Sequence, residues 1–170
     1  MENGALRCHR IMDIEKRRKR PFVRDTRSYL TETTQVRVRF QEVDSMSIVW
    51  HGHYISYFED ARRGFGRKYG IDYPAFLENN VGAPVARVWV DYISPAFSND
   101  ILDVEARLYK SDGAKLEFGY EVRRHENGKL LATGGSLQVF SSLKGKLILT
   151  WPEMMLQRYD DWKDKWIIPK

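Results

Sequence analysis

The densest run of chemically useful side chains lies between Asp44 and His53, reading Asp44-Ser45-Met46-Ser47-Ile48-Val49-Trp50-His51-Gly52-His53. Asp44 supplies a carboxylate that could attack a carbonyl or activate a water. A helix starting near His51 would present N–H groups with no intrahelical acceptor, and these can hold a developing negative oxygen. Plainer roles are open to the same residues. Aspartate is common in turns and helix caps. His51 would then contribute mainly its backbone, and His53 would be a partly buried polar residue. Asp44, His51 and His53 can also be drawn as a metal trio. However, two-residue spacing shares a face on a strand and not on a helix, and no second His or Cys pair supports a metal. No metal site is therefore expected. Trp50 and Met46 could line an acyl pocket or serve as ordinary core. No glycine-rich phosphate loop, G-x-S-x-G elbow or H-E-x-x-H stretch occurs.

The flanking pattern specifies the elements that would position this run. Val36, Val38 and Phe40 alternate with Arg37, Arg39 and Gln41, the period-2 signature of a half-buried strand. Tyr54, Tyr57/Phe58, Ala61, Phe65 and Tyr69 recur at helical spacing, which predicts one long helix over about 52–69. Glu59 and Arg63 stand four apart in the favourable acid-before-base order. Gly70 is placed to end the helix, and a shorter helix is expected around Tyr73–Glu78. Alternating apolar residues then predict strands at 87–92, 102–108, 116–123 and 130–140, with a short one near Leu147–Leu149. Asp112-Gly113, Asn127-Gly128 and Lys144-Gly145 are hairpin dipeptides. Sequential hairpins make a meander, so the expected class is α+β, one helix covering one face of an antiparallel sheet.

A chain of 170 residues suits one domain and buries a sizeable core without disulfides. Its single cysteine, Cys8, excludes an internal disulfide framework and fits a reducing, cytoplasmic setting. No apolar run is long enough for a membrane helix. The net charge of +5 is concentrated at the start: residues 1–34 hold nine Lys/Arg and five Asp/Glu, leaving 19 against 18 in the remainder. We therefore expect no nucleic-acid partner and no membrane partner. The run Lys16–Arg20 reads as part of a solvated basic extension spanning 1–34, or as a translation start placed too far upstream, with Met12 as another candidate. The main domain is expected over 35–150. The tail at 151–170, rich in Trp and charge, would form a docking helix.

The stretch from Glu42 to Glu59 closely resembles the signature of hot-dog fold acyl-CoA thioesterases, the group of 4-hydroxybenzoyl-CoA thioesterase and its relatives. That signature runs from Asp through a short turn to Ile/Val-Val-Trp/Tyr, then His or Tyr, then a helix often reading Tyr-Phe-Glu. The resemblance covers about 35–150. It implies a hot-dog fold, an antiparallel sheet wrapped around one long central helix. It also implies hydrolysis of an acyl-CoA to free acid and coenzyme A, with no cofactor beyond the coenzyme of the substrate. Asp44 then matches the catalytic nucleophile or general base. His51 matches the position whose backbone N–H polarises the thioester carbonyl. Trp50 and His53 fall beside the substrate, and Lys110 and Lys115 stand by rough position where basic residues hold the coenzyme's phosphates. The family implies a homodimer or homotetramer with sites at the subunit interface. Two departures are Ser47, where the family usually has Gly, and His53, where a small residue or Asn is common. The alternatives kept are a non-hydrolytic acyl-CoA-binding or dehydratase-like hot-dog protein, the latter using His51 with Asp44, and a nucleic-acid-binding protein using Lys16–Arg20.

Overall fold

The computed structural model describes residues 26–169. Cys8 and Lys16–Arg20 lie outside the described residues. Strand β1 (Tyr29–Arg37) leads through a 3₁₀ turn (Phe40–Glu42) into the long helix α1 (His53–Tyr69). The short helix α2 (Tyr73–Glu78) and the two-residue strand β2 (Val81–Gly82) follow. Then come β3 (Val85–Tyr92), β4 (Ile101–Tyr109), β5 (Lys115–Arg124), β6 (Leu130–Ser142) and β7 (Leu147–Ile148). Helix α3 (Glu153–Asp161) closes the chain.

The long helix forms for the reason its spacing implied. Tyr54, Tyr57, Phe58, Ala61 and Phe65 make one buried stripe, and burying each large ring is worth about 1.5–3 kcal/mol. Phe58 stacks on Tyr120 at 4.3 Å, and Phe65 meets Phe118 edge-on at 5.2 Å. The last turn carries Arg67 and Lys68, cations favoured by the negative end of the helix dipole. Gly70 ends it at φ 71°, a left-handed turn that glycine adopts without strain. The Glu59–Arg63 pairing is not formed: Glu59 pairs with Arg62 and Asp60 with Arg63, both at i,i+3 spacing. Asp72 caps α2 by accepting from the Ala75 N–H.

All strand pairs are antiparallel, in the order β1-β4-β5-β6, with β2, β3 and β7 also pairing with β6. The sheet wraps α1, as the resemblance implied. Three details differ from the sequence expectation. First, β1 begins at Tyr29, so residues 29–34 of the expected extension are sheet, paired to β4 from Tyr29↔Tyr109 through Arg37↔Ile101. Their Thr and Glu side chains hid the strand because the inner edge tolerates polar groups that reach solvent or α1: Lys68 pairs with Glu32. Second, the apolar alternation at 36–40 does not continue as strand. Val38 is fully buried, but Phe40 begins the 3₁₀ turn and is 84% exposed. Third, β3 pairs with β6 and not with β4. The connection 93–100 contains Pro95 and no two-residue turn, so it crosses the end of the sheet where a hairpin would have folded straight back.

Helix α3 docks Met154 and Met155 into the core, and Trp162, just after its last residue, is buried with them. Arg158 donates to the Gly70 carbonyl at 3.1 Å, and the Trp162 ring meets Tyr69. The C-terminal segment thus covers the end of α1. No described helix is long and apolar enough to cross a membrane.

Candidate functional site

The loop carrying Asp44 is closed by one buried carboxylate. Glu42 is 9% exposed. Its Oε2 accepts from the Arg39 N–H and from the Tyr57 hydroxyl, both at 2.8 Å. Its backbone carbonyl accepts from the Trp50 N–H at 2.9 Å. One residue therefore ties the start of the loop, its end and α1 together. Burial, and then the hydrogen bond to Glu42, push the Tyr57 hydroxyl well above its ordinary pKa. It keeps its proton and donates, which offsets part of the cost of burying the carboxylate.

Within the loop the backbone turns tightly. The Asp44 N–H donates to the Ile48 carbonyl at 2.8 Å, and the Ser47 N–H to the Asp44 carbonyl at 2.9 Å. Ser47 takes φ 60°, the left-handed region. That is the position where the resembling family usually carries Gly, so the serine keeps the glycine conformation at a cost of roughly 1–2 kcal/mol. The half-buried Asp44 carboxylate accepts from the Met46 N–H through Oδ1 at 2.8 Å. Its Oδ2 has no protein partner among the described residues.

The loop runs directly into α1. Gly52 is the residue before the first helical turn, and no side chain caps it. Among the described residues the N–H groups of His51 and Gly52 have no acceptor. The Tyr92 hydroxyl donates to the His51 carbonyl at 2.9 Å, pinning the helix start to the end of β3. Trp50, His51 and His53 form one aromatic cluster, with Trp50 4.6 Å from the His51 ring and 5.7 Å from the His53 ring. Trp50 also lies over Gly52, where a Cβ would stand 1.9 Å from its ring.

The structure thus brings Asp44, Trp50, His51 and His53 into one loop and helix start. Trp50 and Met46 are 49% and 70% exposed, so neither is ordinary core in the single chain. Lys110 and Lys115 do not join them. Lys110 follows the end of β4 that pairs with Tyr29, opposite the end leading to Asp44, and lies over the Trp166 ring. Lys115 opens β5 and pairs with Glu117. Among the described residues no three His, Cys, Asp or Glu side chains gather into a metal-holding group. Three roles went unnoticed in the sequence, those of Glu42, Tyr57 and Tyr92. Tyr57 stood out as an apolar helix position and a ring compatible with an acyl group, and Tyr92 as an apolar strand position. The one available signal for Glu42 was a carboxylate standing two residues before Asp44.

Comparison with known proteins follows the same geometry. The family profile described as the thioesterase-like superfamily matches residues 38–159. The acyl-CoA thioester hydrolase YbgC of Escherichia coli O6:H1 is 27% identical over 92 residues, which span 54% of this chain and 69% of that protein. A putative esterase of Aquifex aeolicus is 30% identical over 90 residues, 53% of this chain and 70% of the relative. Among solved structures, a 1,4-dihydroxy-2-naphthoyl-CoA thioesterase from Synechocystis superposes with a TM-score of 0.69, covering 78% of this chain and 98% of the other. At 18% identity that likeness speaks for the fold alone.

Proposed function

The chain belongs to the thioesterase-like superfamily and is a thioester hydrolase, and we propose that it cleaves acyl-CoA thioesters with Asp44 as nucleophile or general base. The carrying observation is that Asp44 lies in the tight loop that runs directly into α1. One carboxylate oxygen is tethered to Met46, and the other has no partner among the described residues. The helix start offers the N–H groups of His51 and Gly52, which have no acceptor among the described residues.

The thioester carbonyl lies against the start of α1. Asp44 either attacks the carbonyl carbon or removes a proton from a water that does. In the first course the C–S bond breaks, coenzyme A leaves as thiolate, and water hydrolyses the resulting anhydride. In the second course the acid and the thiolate form in one addition and collapse. The oxyanion in either is held by backbone N–H groups with the helix dipole behind them. Thiolate leaves readily, so the step needs no strong general acid and no cofactor. Trp50 and His53 flank the substrate.

We further propose a homodimer paired through β3. Among the described residues this edge strand has only β6 beside it, and Val85, Val88, Trp89 and Tyr92 are 44%, 37%, 43% and 52% exposed. A long exposed apolar edge invites strand pairing. Antiparallel pairing of β3 with its copy covers both rows at once. Within one chain Lys110 and Lys115 stand away from Asp44, so a role for Lys115 in holding the coenzyme's phosphates would come across that edge.

Thiol release from a panel of short-, medium- and long-chain acyl-CoAs tests the chemistry. Asp44→Asn is expected to lose about 10²–10⁴ in rate while unfolding at the wild-type urea concentration. A folded mutant at the wild-type rate would unseat Asp44. Sedimentation tests the pairing: wild type is expected as a dimer and Trp89→Lys as a monomer. A monomeric wild type sinks the β3 interface.

A further inference from the structure

The connection between β3 and β4 is closed by one ion pair. Arg124, the last residue of β5, and Asp100, just before β4, are both mostly buried. Arg124 donates through Nε and Nη2 to Asp100 Oδ2, at 3.0 and 2.9 Å, and Nη2 also donates to the Pro95 carbonyl at 3.0 Å. The same Oδ2 accepts from the Phe97 N–H at 2.9 Å. The guanidinium lies over the Phe97 ring, 5.6 Å from its centre. Residues 95–100 lie outside the strands, so their backbone groups need partners of another kind. A guanidinium fork reaches a carboxylate and a carbonyl at once, which an ammonium or an apolar side chain does not match.

The turn so formed touches both halves of the candidate site. Ala96 is fully buried, and its carbonyl accepts from the Val49 N–H at 2.9 Å. Phe97 forms an antiparallel bridge with Ile48. The Ile48 carbonyl in turn accepts from the Asp44 N–H. The Tyr54 hydroxyl, in the first turn of α1, is hydrogen-bonded to the Ala96 backbone. The Asp44 turn and the start of α1 therefore rest on the same two residues. Removing either member of the ion pair leaves the other charge with little water around it. The segment relieves that by moving outward, and Ile48 and Val49 move with it.

We propose that Arg124 and Asp100 are positioning residues for thioester hydrolysis: the pair fixes Ala96 and Phe97, and these fix the Asp44 turn against the start of α1. The inference rests on the assignment of the chemistry to Asp44. Neither residue of the pair touches the substrate. Their effect reaches the reaction only through the placement of the carboxylate and the helix start.

The test is a double-mutant cycle on the full-length protein, with the acyl-CoA of the panel that wild type hydrolyses fastest. Asp100→Asn and Arg124→Gln are each expected to lower kcat about 10- to 100-fold with KM unchanged, since a shift of about 1 Å at a reacting centre costs that much. The double variant is expected to fall no lower than the worse single one, because the two residues act together. Arg124→Lys keeps the charge and is expected to retain more activity than Arg124→Gln. A lowered urea midpoint with wild-type kcat in the folded fraction marks a merely structural pair and overturns the proposal. Losses that multiply in the double variant, or a raised KM beside normal kcat, overturn it too. Turnover lost in Asp44→Asn but kept in the Arg124 and Asp100 variants removes this inference alone. No turnover by wild type, or turnover that survives Asp44→Asn, removes the Asp44 reading with it. If the variants fail to fold, amide exchange in wild type decides. The N–H groups of Phe97, Val49 and Asp44 are expected to open as one, with protection agreeing within about threefold. An Asp44 amide that exchanges apart from the other two overturns the proposal.

Discussion

Gly52 has a backbone that any residue can adopt, φ −66° and ψ −26°. What forbids a side chain there is Trp50. A Cβ on residue 52 would stand 1.9 Å from Trp50 Cζ3 and 2.4 Å from Cη2. Carbon atoms settle about 3.5–4.0 Å apart, so in Gly52→Ala the ring must move by roughly 1.5–2 Å. Trp50 is half exposed and can swing outward, which keeps the stability cost small. Alanine recovers about 0.4–1 kcal/mol by limiting the unfolded chain. The two effects oppose, and net stability should change by no more than about 1 kcal/mol. Activity has no such compensation. The ring packs on His51 and His53, and both frame the unpaired N–H groups at the helix start. A displacement of about 1 Å at a reacting centre can cost about 10²-fold in rate. The expected result is a kcat/KM lowered about 10- to 100-fold beside a near-normal urea midpoint. Thiol release and equilibrium unfolding on the same preparation give both numbers. A stable Gly52→Ala protein with wild-type kcat/KM would refute the idea that Trp50 aims the helix start. Loss of stability and activity together would refute the claim that the ring is free to swing.

Other outcomes follow from the same contacts. Ser47→Gly should raise stability by about 0.5–1 kcal/mol, since it relieves left-handed strain and loses part of that gain to the freer unfolded chain; thermal unfolding measures it, and a lowered Tm would contradict the strained turn. Burial alone would raise the Glu105 pKa, but hydrogen bonds from Arg107 and Thr31 outweigh it and hold the carboxyl below its ordinary value of 4.5. A carboxylate lowered in the folded state stabilises above its unfolded pKa and stops doing so as pH falls through its folded one. Glu105→Gln should therefore be less stable at pH 7 and show a shallower loss of stability below about pH 4.5, read by urea unfolding across the acid range. Parallel acid limbs for the two proteins would show that this cluster carries no pH dependence.

Periodicity made much of the frame legible. The stripe from Tyr54 to Phe65 specified α1 because a single helix buried on one side must repeat its apolar residues near every 3.6 positions. Strands β4 and β5 announced themselves by alternation, and Gly128 and Gly145 adopt the positive φ their turns required. The start of β1 was hidden because Thr31, Glu32 and Thr34 satisfy a strand whose inner edge meets polar groups of α1. The position of β3 was hidden for a different reason. Alternation of Val88, Val90 and Tyr92 says that a face is apolar, but not whether the protein's own core or another surface covers it. In the single chain most of β3 is exposed.

The site divides in the same way. Residue types and spacing singled out Asp44, Trp50, His51 and His53 before any fold was known, because a carboxylate, a turn and a helix start are local features carried by contiguous residues. Tertiary structure alone decided what holds them. Glu42 meets Tyr57 across the loop, and Tyr92 reaches His51 from a strand 41 residues away. It also set Lys110 and Lys115, which the resemblance assigned to the coenzyme's phosphates, at the end of the sheet away from Asp44. Sequence spacing constrains neighbours along one element, whereas contacts between elements depend on strand order and on which edge of the sheet stays open. Those choices are made only when the whole sheet closes around α1.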